Sequence, residues 1–122
     1  MTDPLSERRQ QRDRLLSEAR SFASRLNERI EIKVAIVAGS VARGDFNVWS
    51  DIDLLVVSDD LESRAPDRML QLNQDAPPGL EVIGLTPDEY RVARRKRNRL
   101  VLEAERIGLV VLGEPNFGDG GR

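Results

Sequence analysis

The sequence predicts an α/β fold, a small mixed sheet of about four strands flanked by helices. Segments with apolar residues at helical spacing alternate along the chain with four short apolar runs rich in β-branched residues. The length of 122 residues suits one hydrophobic core, and no internal repeat divides the chain. We therefore expect a single domain over residues 1–113, followed by a flexible tail over 114–122.

The first element is a long amphipathic helix predicted over residues 3–29. Asp3 can cap this helix, and Pro4 suits its first position, where a missing N–H has no cost. Apolar residues then recur at helical spacing as far as Ile30, which indicates one buried stripe. The stripe consists of Leu15, Leu16, Ala19, Phe22, Ala23, Leu26 and Ile30.

Two strands are predicted next, one on each side of a glycine-containing segment. Residues 34–38 form a short apolar run that Gly39 ends, as expected of a buried strand. Residues 51–57 form the second strand, which begins with polar residues and continues with apolar ones. The segment between these strands is rich in turn-forming residues.

A second helix and a third strand follow. Asp59 and Asp60 can cap a helix over residues 61–74, which Pro66 would weaken. Residues 77–79, with two prolines and a glycine, mark a turn. The apolar run over 80–85 is then the third strand.

The clearest local signal in the chain is a helix start at Thr86. Thr86 is the predicted N-cap, and Glu89 completes a capping box. The helix should run to about Ile107, with a break near Asn98, and Gly108 should end it. Residues 109–112 form a short fourth strand, whose exposed edge could pair with a second copy in a homodimer.

Two residue types are missing, and their absence narrows the possible chemistry. The chain contains no Cys and no His, which excludes disulfide frameworks, thiolate or imidazole metal sites and His-dependent triads. The 19 Lys and Arg against 21 Asp and Glu give a net charge of -2, so no overall charge attracts the chain to nucleic acid. Carboxylates remain as metal ligands, and they favour Mg²⁺.

The sequence also bears on location. No apolar run approaches the roughly 20 residues that a membrane-spanning helix needs. The N-terminal residues lack the apolar segment of a secretory signal. We therefore expect a cytoplasmic protein without a membrane partner.

Two aspartates at the start of the second strand point to a metal site. Asp51 and Asp53 are two residues apart, so both side chains project from one face of the strand, about 7 Å apart along it. Asp is disfavoured in strands, and like charges next to a core repel each other. A divalent cation would resolve that repulsion and could orient phosphate oxygens. The alternative is that the two aspartates simply lie at the solvent-exposed start of the strand.

A phosphate-binding turn is predicted upstream of these aspartates. Gly39 precedes Asp51 by twelve residues and would let a phosphate approach the backbone, while Ser40 could donate a hydrogen bond. Arg43 could pair with the triphosphate as a fork donor, and Gly44 would release the chain from the turn. An ordinary strand-ending turn and a surface arginine are the alternatives.

Glu81 is the candidate for a third carboxylate. It is the one acidic residue in the apolar run of the third strand. If the second and third strands are neighbours, Glu81 can face the aspartates and compensate the charge of one or two cations. The alternative is an ordinary exposed strand residue.

This combination resembles a known signature. Gly39-Ser40, Arg43-Gly44 and the stretch from Ser50 through Asp51 and Asp53 to Leu54 are similar to the G-S…G…S-D-x-D-L motif of the DNA polymerase beta-type nucleotidyltransferase superfamily. The short length resembles its minimal nucleotidyltransferase branch. The resemblance implies the corresponding fold, Mg²⁺ on the two aspartates, a triphosphate on the Gly-Ser turn with Ser50 nearby, and a third acid on a neighbouring strand. The family often has Asp where we place Glu81.

The resemblance also implies an activity, the Mg²⁺-dependent transfer of a nucleoside monophosphate to a hydroxyl group. The favoured nucleotide is ATP, with AMP as the transferred group. The setting it suggests is the antitoxin of a toxin–antitoxin pair, with a tyrosine of a HEPN-type toxin as acceptor. A small molecule such as an aminoglycoside is a second acceptor class. A catalytically idle module that binds a nucleotide or a partner is the alternative from another functional class.

Two further features allow more than one interpretation. Trp49 could stack on a nucleobase or cover the edge of the core. A basic cluster, Arg91, Arg94, Arg95, Lys96, Arg97 and Arg99, is either a solvated helix face or a docking surface for an acidic partner or RNA.

Overall fold

A computed structural model of the chain describes residues 4–38 and 52–115. Its elements, in chain order, are α1 (Pro4–Asn27), β1 (Ile32–Ala38), β2 (Ile52–Ser58), α2 (Ala65–Asn73), β3 (Leu80–Leu85), α3 (Pro87–Arg95), α4 (Arg99–Ile107) and β4 (Leu109–Gly113). None of the helices in these two stretches is both long and apolar enough to cross a membrane. Of the predicted tail, Glu114 and Pro115 are described, and residues 116–122 lie outside the described part.

The strands form a single mixed sheet in the order β3-β2-β1-β4. β1 pairs antiparallel with both β2 and β4, and β2 pairs parallel with β3. A parallel pair requires a crossover between its strands, which α2 supplies. The predicted α/β fold with about four strands is confirmed, and β4 lies at one edge of the sheet as expected.

Helices cover both faces of the sheet, so the strands read as nearly continuous apolar runs. On one face, Phe22 and Leu26 of α1 and Leu72 of α2 pack with strand residues that include Leu54 and Val56. On the other face, α3 and α4 cover a second cluster of buried side chains. That cluster consists of Val34, Ile36, Ala38, Leu55, Val57, Tyr90, Val101 and Ala104. In β2, therefore, the odd-numbered side chains face α3 and α4.

The predicted start of α2 was wrong. The helix was expected over 61–74 with an aspartate cap, but it begins at Ala65, after Arg64, which makes no side-chain cap hydrogen bond. Pro66 lies in its first turn, where proline is tolerated, so it marks the helix start instead of weakening the interior. The Asp60 carboxylate is engaged elsewhere, because it accepts the backbone N–H of Glu31 at 2.8 Å.

The predicted signals in the last helical region are confirmed. Thr86 and Glu89 form the capping box at the start of α3. The break near Asn98 separates two helices, because Arg97 adopts a left-handed conformation with φ of 60° and the Asn98 side chain caps α4 by accepting the N–H of Val101. Gly108 ends α4.

Candidate functional site

Four strand ends meet at the end of the sheet where the sequence places the acidic residues. β1 finishes there, and β2, β3 and β4 begin there, since β1 runs opposite to β2 and β4 while β3 runs with β2. We call this the carboxylate end. The opposite end, which carries the start of β1 and the finish of β2 and β3, is called the closed end.

Asp53 and Glu81 are direct neighbours at the carboxylate end. They occupy the same register position on the parallel strands β2 and β3, so their side chains project from the same face of the sheet. Adjacent strands are about 4.8 Å apart, which puts the two carboxylates within reach of one cation. Asp53 is half-buried and Glu81 is exposed. The condition on which the prediction for Glu81 depended, that the two strands are neighbours, is met.

The remaining predicted site residues adjoin this pair in sequence but lie outside the described residues. They are Gly39, Ser40, Arg43, Gly44, Ser50 and Asp51, together with Trp49. Ala38, which directly precedes Gly39, pairs with Asp53 across the β1–β2 ladder. Within the described residues, 4–38 and 52–115, no group of three or more acidic residues is placed to hold a metal ion.

A glycine turn fixes the register of the two acidic strands. The N–H of Ile52 donates to the carbonyl of Gly79 at 2.7 Å, and the N–H of Leu80 donates to the carbonyl of Pro77 at 3.1 Å. Gly79 has φ of 86°, a conformation that side-chain-bearing residues rarely adopt. The predicted turn thus aligns the first residues of β2 and β3 immediately before Asp53 and Glu81.

Sequence reasoning missed the residue that holds the outer edge of β3. The Asn73 side chain donates to the carbonyl of Val82 at 3.0 Å and accepts the N–H of Val82 at 2.9 Å. The Asn73 side chain therefore forms with Val82, the residue after Glu81, the two hydrogen bonds that a neighbouring strand would otherwise provide. The only signal in the sequence was an amide residue near the end of a predicted helix, and that pattern does not specify a tertiary partner.

A second missed residue is Arg68, which links α2 to the start of α3. Its guanidinium lies 2.7 Å from the Glu89 carboxylate and donates to the carbonyls of Glu62 and Gly84 at 2.7 and 3.3 Å. The hydrogen bond from Arg68 lowers the pKa of Glu89 below its ordinary value, against the opposing effect of burial. This contact involves Gly84 near the finish of β3, away from Asp53 and Glu81.

Tyr90 belongs to the core and not to the candidate site. It is 2% exposed, and its hydroxyl donates to the Glu105 carboxylate at 2.5 Å. Burial and this contact raise the pKa of Tyr90 above its ordinary value. Arg94 stacks over the ring, and its Nε lies 2.9 Å from the same Glu105 oxygen as an ion pair without hydrogen-bond alignment. Tyr90 therefore belongs to the core cluster beneath α3 and α4.

Comparisons with known proteins identify the family of the chain and support its fold. Residues 16–108 match the family model of the nucleotidyltransferase domain. None of the curated proteins is a significant sequence match. A candidate nucleotidyltransferase from Sulfolobus solfataricus has a similar structure, with 21% identity, a TM-score of 0.63 and coverage of 84% of each chain. A toxin–antitoxin structure with AMP-PNP is similar over 82% of this chain and 77% of the other, with 14% identity and a TM-score of 0.55. At these identities, the structural similarity concerns the fold.

Proposed function

The chain belongs to the nucleotidyltransferase domain family, and we propose that it transfers AMP from ATP to a hydroxyl group of an acceptor and releases pyrophosphate. The observation that carries this proposal is the register of the two acidic strands. Asp53 and Glu81 lie side by side on one face of the sheet, at the end where β1 leads into Gly39. Family membership supports the class of reaction, and the register of the two acidic strands supports our proposal that it takes place at the carboxylate end.

The residues at this end suit Mg²⁺. Carboxylate oxygens are the ligands that this cation prefers, and two carboxylates on directly opposite strand positions can contact one cation. We propose that Asp53 and Glu81 hold Mg²⁺ together with Asp51, which precedes Asp53 by two residues in the sequence. When bound, Mg²⁺ would offset the negative charge of the triphosphate.

Different residues of the chain have different roles in the proposed reaction. We propose that Gly39 and Ser40 bind the triphosphate through backbone N–H groups and the hydroxyl, with Gly44 and Ser50 shaping this turn. Asp53 or Glu81 accepts the proton of the acceptor hydroxyl as its oxygen attacks the α-phosphate. The bond to the β-phosphate breaks, and Arg43 balances the charge on the departing pyrophosphate.

We propose a protein tyrosine, on a HEPN-type toxin, as the acceptor and an antitoxin role for this chain. The structural similarity to a toxin–antitoxin solved with AMP-PNP supports this setting. A small-molecule hydroxyl, such as that of an aminoglycoside, is the second acceptor class to test.

The test is transfer of label from α-labelled ATP, in the presence of Mg²⁺, to a HEPN-type toxin, an aminoglycoside and tRNA. Asp53→Asn should reduce transfer by roughly 10³-fold or more, because one of the charges that hold Mg²⁺ is lost. Asp59→Asn is the matched control. This residue lies just past the other end of β2, where its carboxylate is 3.5 Å from Lys33, so its removal should leave the rate within about twofold of the wild type.

Two results would contradict the proposal. One is ATP binding without transfer to any of these acceptors, which is the behaviour of a catalytically idle binding module. The other is equal transfer by wild type and Asp53→Asn, which would place the chemistry elsewhere.

A further inference from the structure

Five basic side chains around the α3–α4 junction and along α4 lack an acidic partner among the described residues. They are Arg95, Lys96, Arg97, Arg99 and Arg106, and all five are exposed. Within residues 4–38 and 52–115, no Asp or Glu lies within ion-pair distance of them. The predicted basic cluster thus divides, because Arg91 and Arg94 are paired with Asp88 and Glu105. The chain as a whole has a net charge of -2, so this surface has the opposite sign to the molecule.

Three of these cations line a groove on α4. The groove has a volume of about 470 Å³ and is lined by Arg97, Arg99, Leu102, Glu103, Arg106 and Ile107. Ile107 is 38% exposed, although burying such a side chain is favourable. Three arginine guanidinium groups lie here with two apolar side chains and one carboxylate, that of Glu103. The cations outnumber the acid, so the groove is suited to a ligand that carries both carboxylates and aliphatic groups.

This α4 groove reaches the carboxylate end of the sheet. α4 finishes at Ile107, and Leu109, two residues later, pairs with Val37 at the finish of β1. β2 is the next strand, so the start of β4 is two strand spacings, or roughly 10 Å, from the strand that carries Asp53. α4 packs on the face to which Asp53 belongs through Val101 and Ala104. The groove, lined by other residues of α4, is therefore on the same side of the sheet as the two carboxylates.

The lining favours a peptide over a nucleic acid. Proteins that bind single-stranded RNA present aromatic side chains on which bases stack. The two aromatic residues in the described part of the chain, Phe22 and Tyr90, are both buried. Leu102 and Ile107 offer contacts to aliphatic side chains instead.

We propose that the α4 groove binds an acidic, leucine-containing segment of the protein that carries the acceptor hydroxyl. The arginines recognise the carboxylates of this segment, and the apolar residues of the groove receive its leucines. Bound in this way, the segment delivers a hydroxyl to the neighbouring carboxylate end. The delivery step rests on the proposed function, whereas the binding step does not require catalysis.

The experiment measures the binding of three fluorescent probes by anisotropy at low and at physiological salt. The probes are an acidic peptide of about twelve residues containing Glu, Leu and one Tyr, the same peptide with Lys in place of Glu, and a single-stranded oligoribonucleotide of equal length. Arg99→Glu with Arg106→Glu should weaken binding of the acidic peptide roughly tenfold or more, since close charge pairs become repulsive. Leu102→Ser should weaken it about threefold through lost apolar contact.

The matched control is Arg9→Glu with Arg20→Glu, two exposed arginines of α1, which packs on the opposite face of the sheet. This variant changes the net charge equally and should bind the acidic peptide as the wild type does. Circular dichroism checks that every variant is folded.

Several outcomes would overturn the proposal. They are no binding of the acidic peptide, an equal loss in the α1 control, no effect of Leu102→Ser, or tighter binding of the oligoribonucleotide with the same sensitivity to the α4 substitutions. Failure of the proposed function is a separate result. In that case Asp53→Asn and wild type would transfer no label to the tyrosine, while peptide binding and its loss in the α4 variant would remain.

Discussion

The two ends of the sheet use acidic residues in opposite ways. At the closed end, Ser58 is fully buried, and its hydroxyl donates to the carbonyl of Glu31 at 2.7 Å and accepts the N–H of Asp60 at 3.0 Å. The Asp60 carboxylate in turn accepts the N–H of Glu31, and Asp59 lies 3.5 Å from Lys33. The carboxylates of the two acids just past the end of β2 thus contact one backbone N–H group and one lysine.

At the carboxylate end, the same sheet aligns like charges instead. Asp53 and Glu81 share one face at the same register position of neighbouring strands, where a single cation can contact both carboxylates. The difference shows that an acidic residue beside a strand is informative about function only when its neighbours are known. Asp59 and Asp60 look as prominent in the sequence as Asp51 and Asp53, and the structure places them at the opposite end of the sheet, beside Lys33 and the backbone of Glu31.

The largest expected effect in this comparison is loss of transfer on neutralising Glu81. Glu81→Gln should lower the rate of AMP transfer by roughly 10²-fold or more and raise the Mg²⁺ concentration needed for half-maximal rate, because a charged oxygen ligand is replaced by a neutral amide. The measurement is a Mg²⁺ titration of transfer from labelled ATP.

The control for this prediction comes from the closed end. Glu31 is exposed, and its backbone, not its side chain, makes the contacts to Ser58 and Asp60. Glu31→Gln should therefore leave both the rate and the Mg²⁺ dependence unchanged. An equal loss in the two variants would mean that the two ends do not differ in function.

The next effect concerns stability and should appear only at the closed end. Ser58→Ala removes a buried hydroxyl that makes two hydrogen bonds, which leaves the carbonyl of Glu31 and the N–H of Asp60 without that partner. The free energy of unfolding should fall by about 2 kcal/mol. Urea denaturation measures this loss, and Ser24→Ala, at an exposed position of α1, is the control. If the free energy of unfolding falls no more in Ser58→Ala than in the control, the stability of the closed end does not depend on these contacts.

Much of this architecture could be predicted because local chemistry and tertiary structure agree. β3 occupies the predicted residues 80–85, since an apolar run between a Pro-Pro-Gly turn and a capping box has few alternatives. The boundaries of β1 and β2 differ from the predicted ones by one or two residues. The candidate Glu81 followed from its position as a single acid in an apolar strand.

The features that the sequence did not predict depend on contacts between distant parts of the chain. The roles of Asn73 and Arg68 arise from backbone groups of β3 that no local pattern identifies. The side-by-side placement of Asp53 and Glu81 required the strand order and the register, which the sequence left conditional. The start of α2 was wrong because Asp60, an attractive cap by sequence, makes its hydrogen bond to β1's neighbour Glu31 instead.

The smallest expected effect is a pH dependence on the Arg68–Glu89 contact at the start of α3. The hydrogen bond from Arg68 lowers the pKa of Glu89 below its ordinary value of 4.5, so the contact stabilises the fold above that pH and is lost as the pH falls through the lower, folded-state value. Because the Glu89 side chain is 44% exposed, the contribution should stay below about 1 kcal/mol. Urea denaturation between about pH 7 and pH 3 should show Glu89→Gln, which keeps a capping-box residue, converging on the wild type at low pH. In an Arg68→Met background the difference should shrink at neutral pH, and an undiminished difference there would assign the effect to the helix start and not to the ion pair.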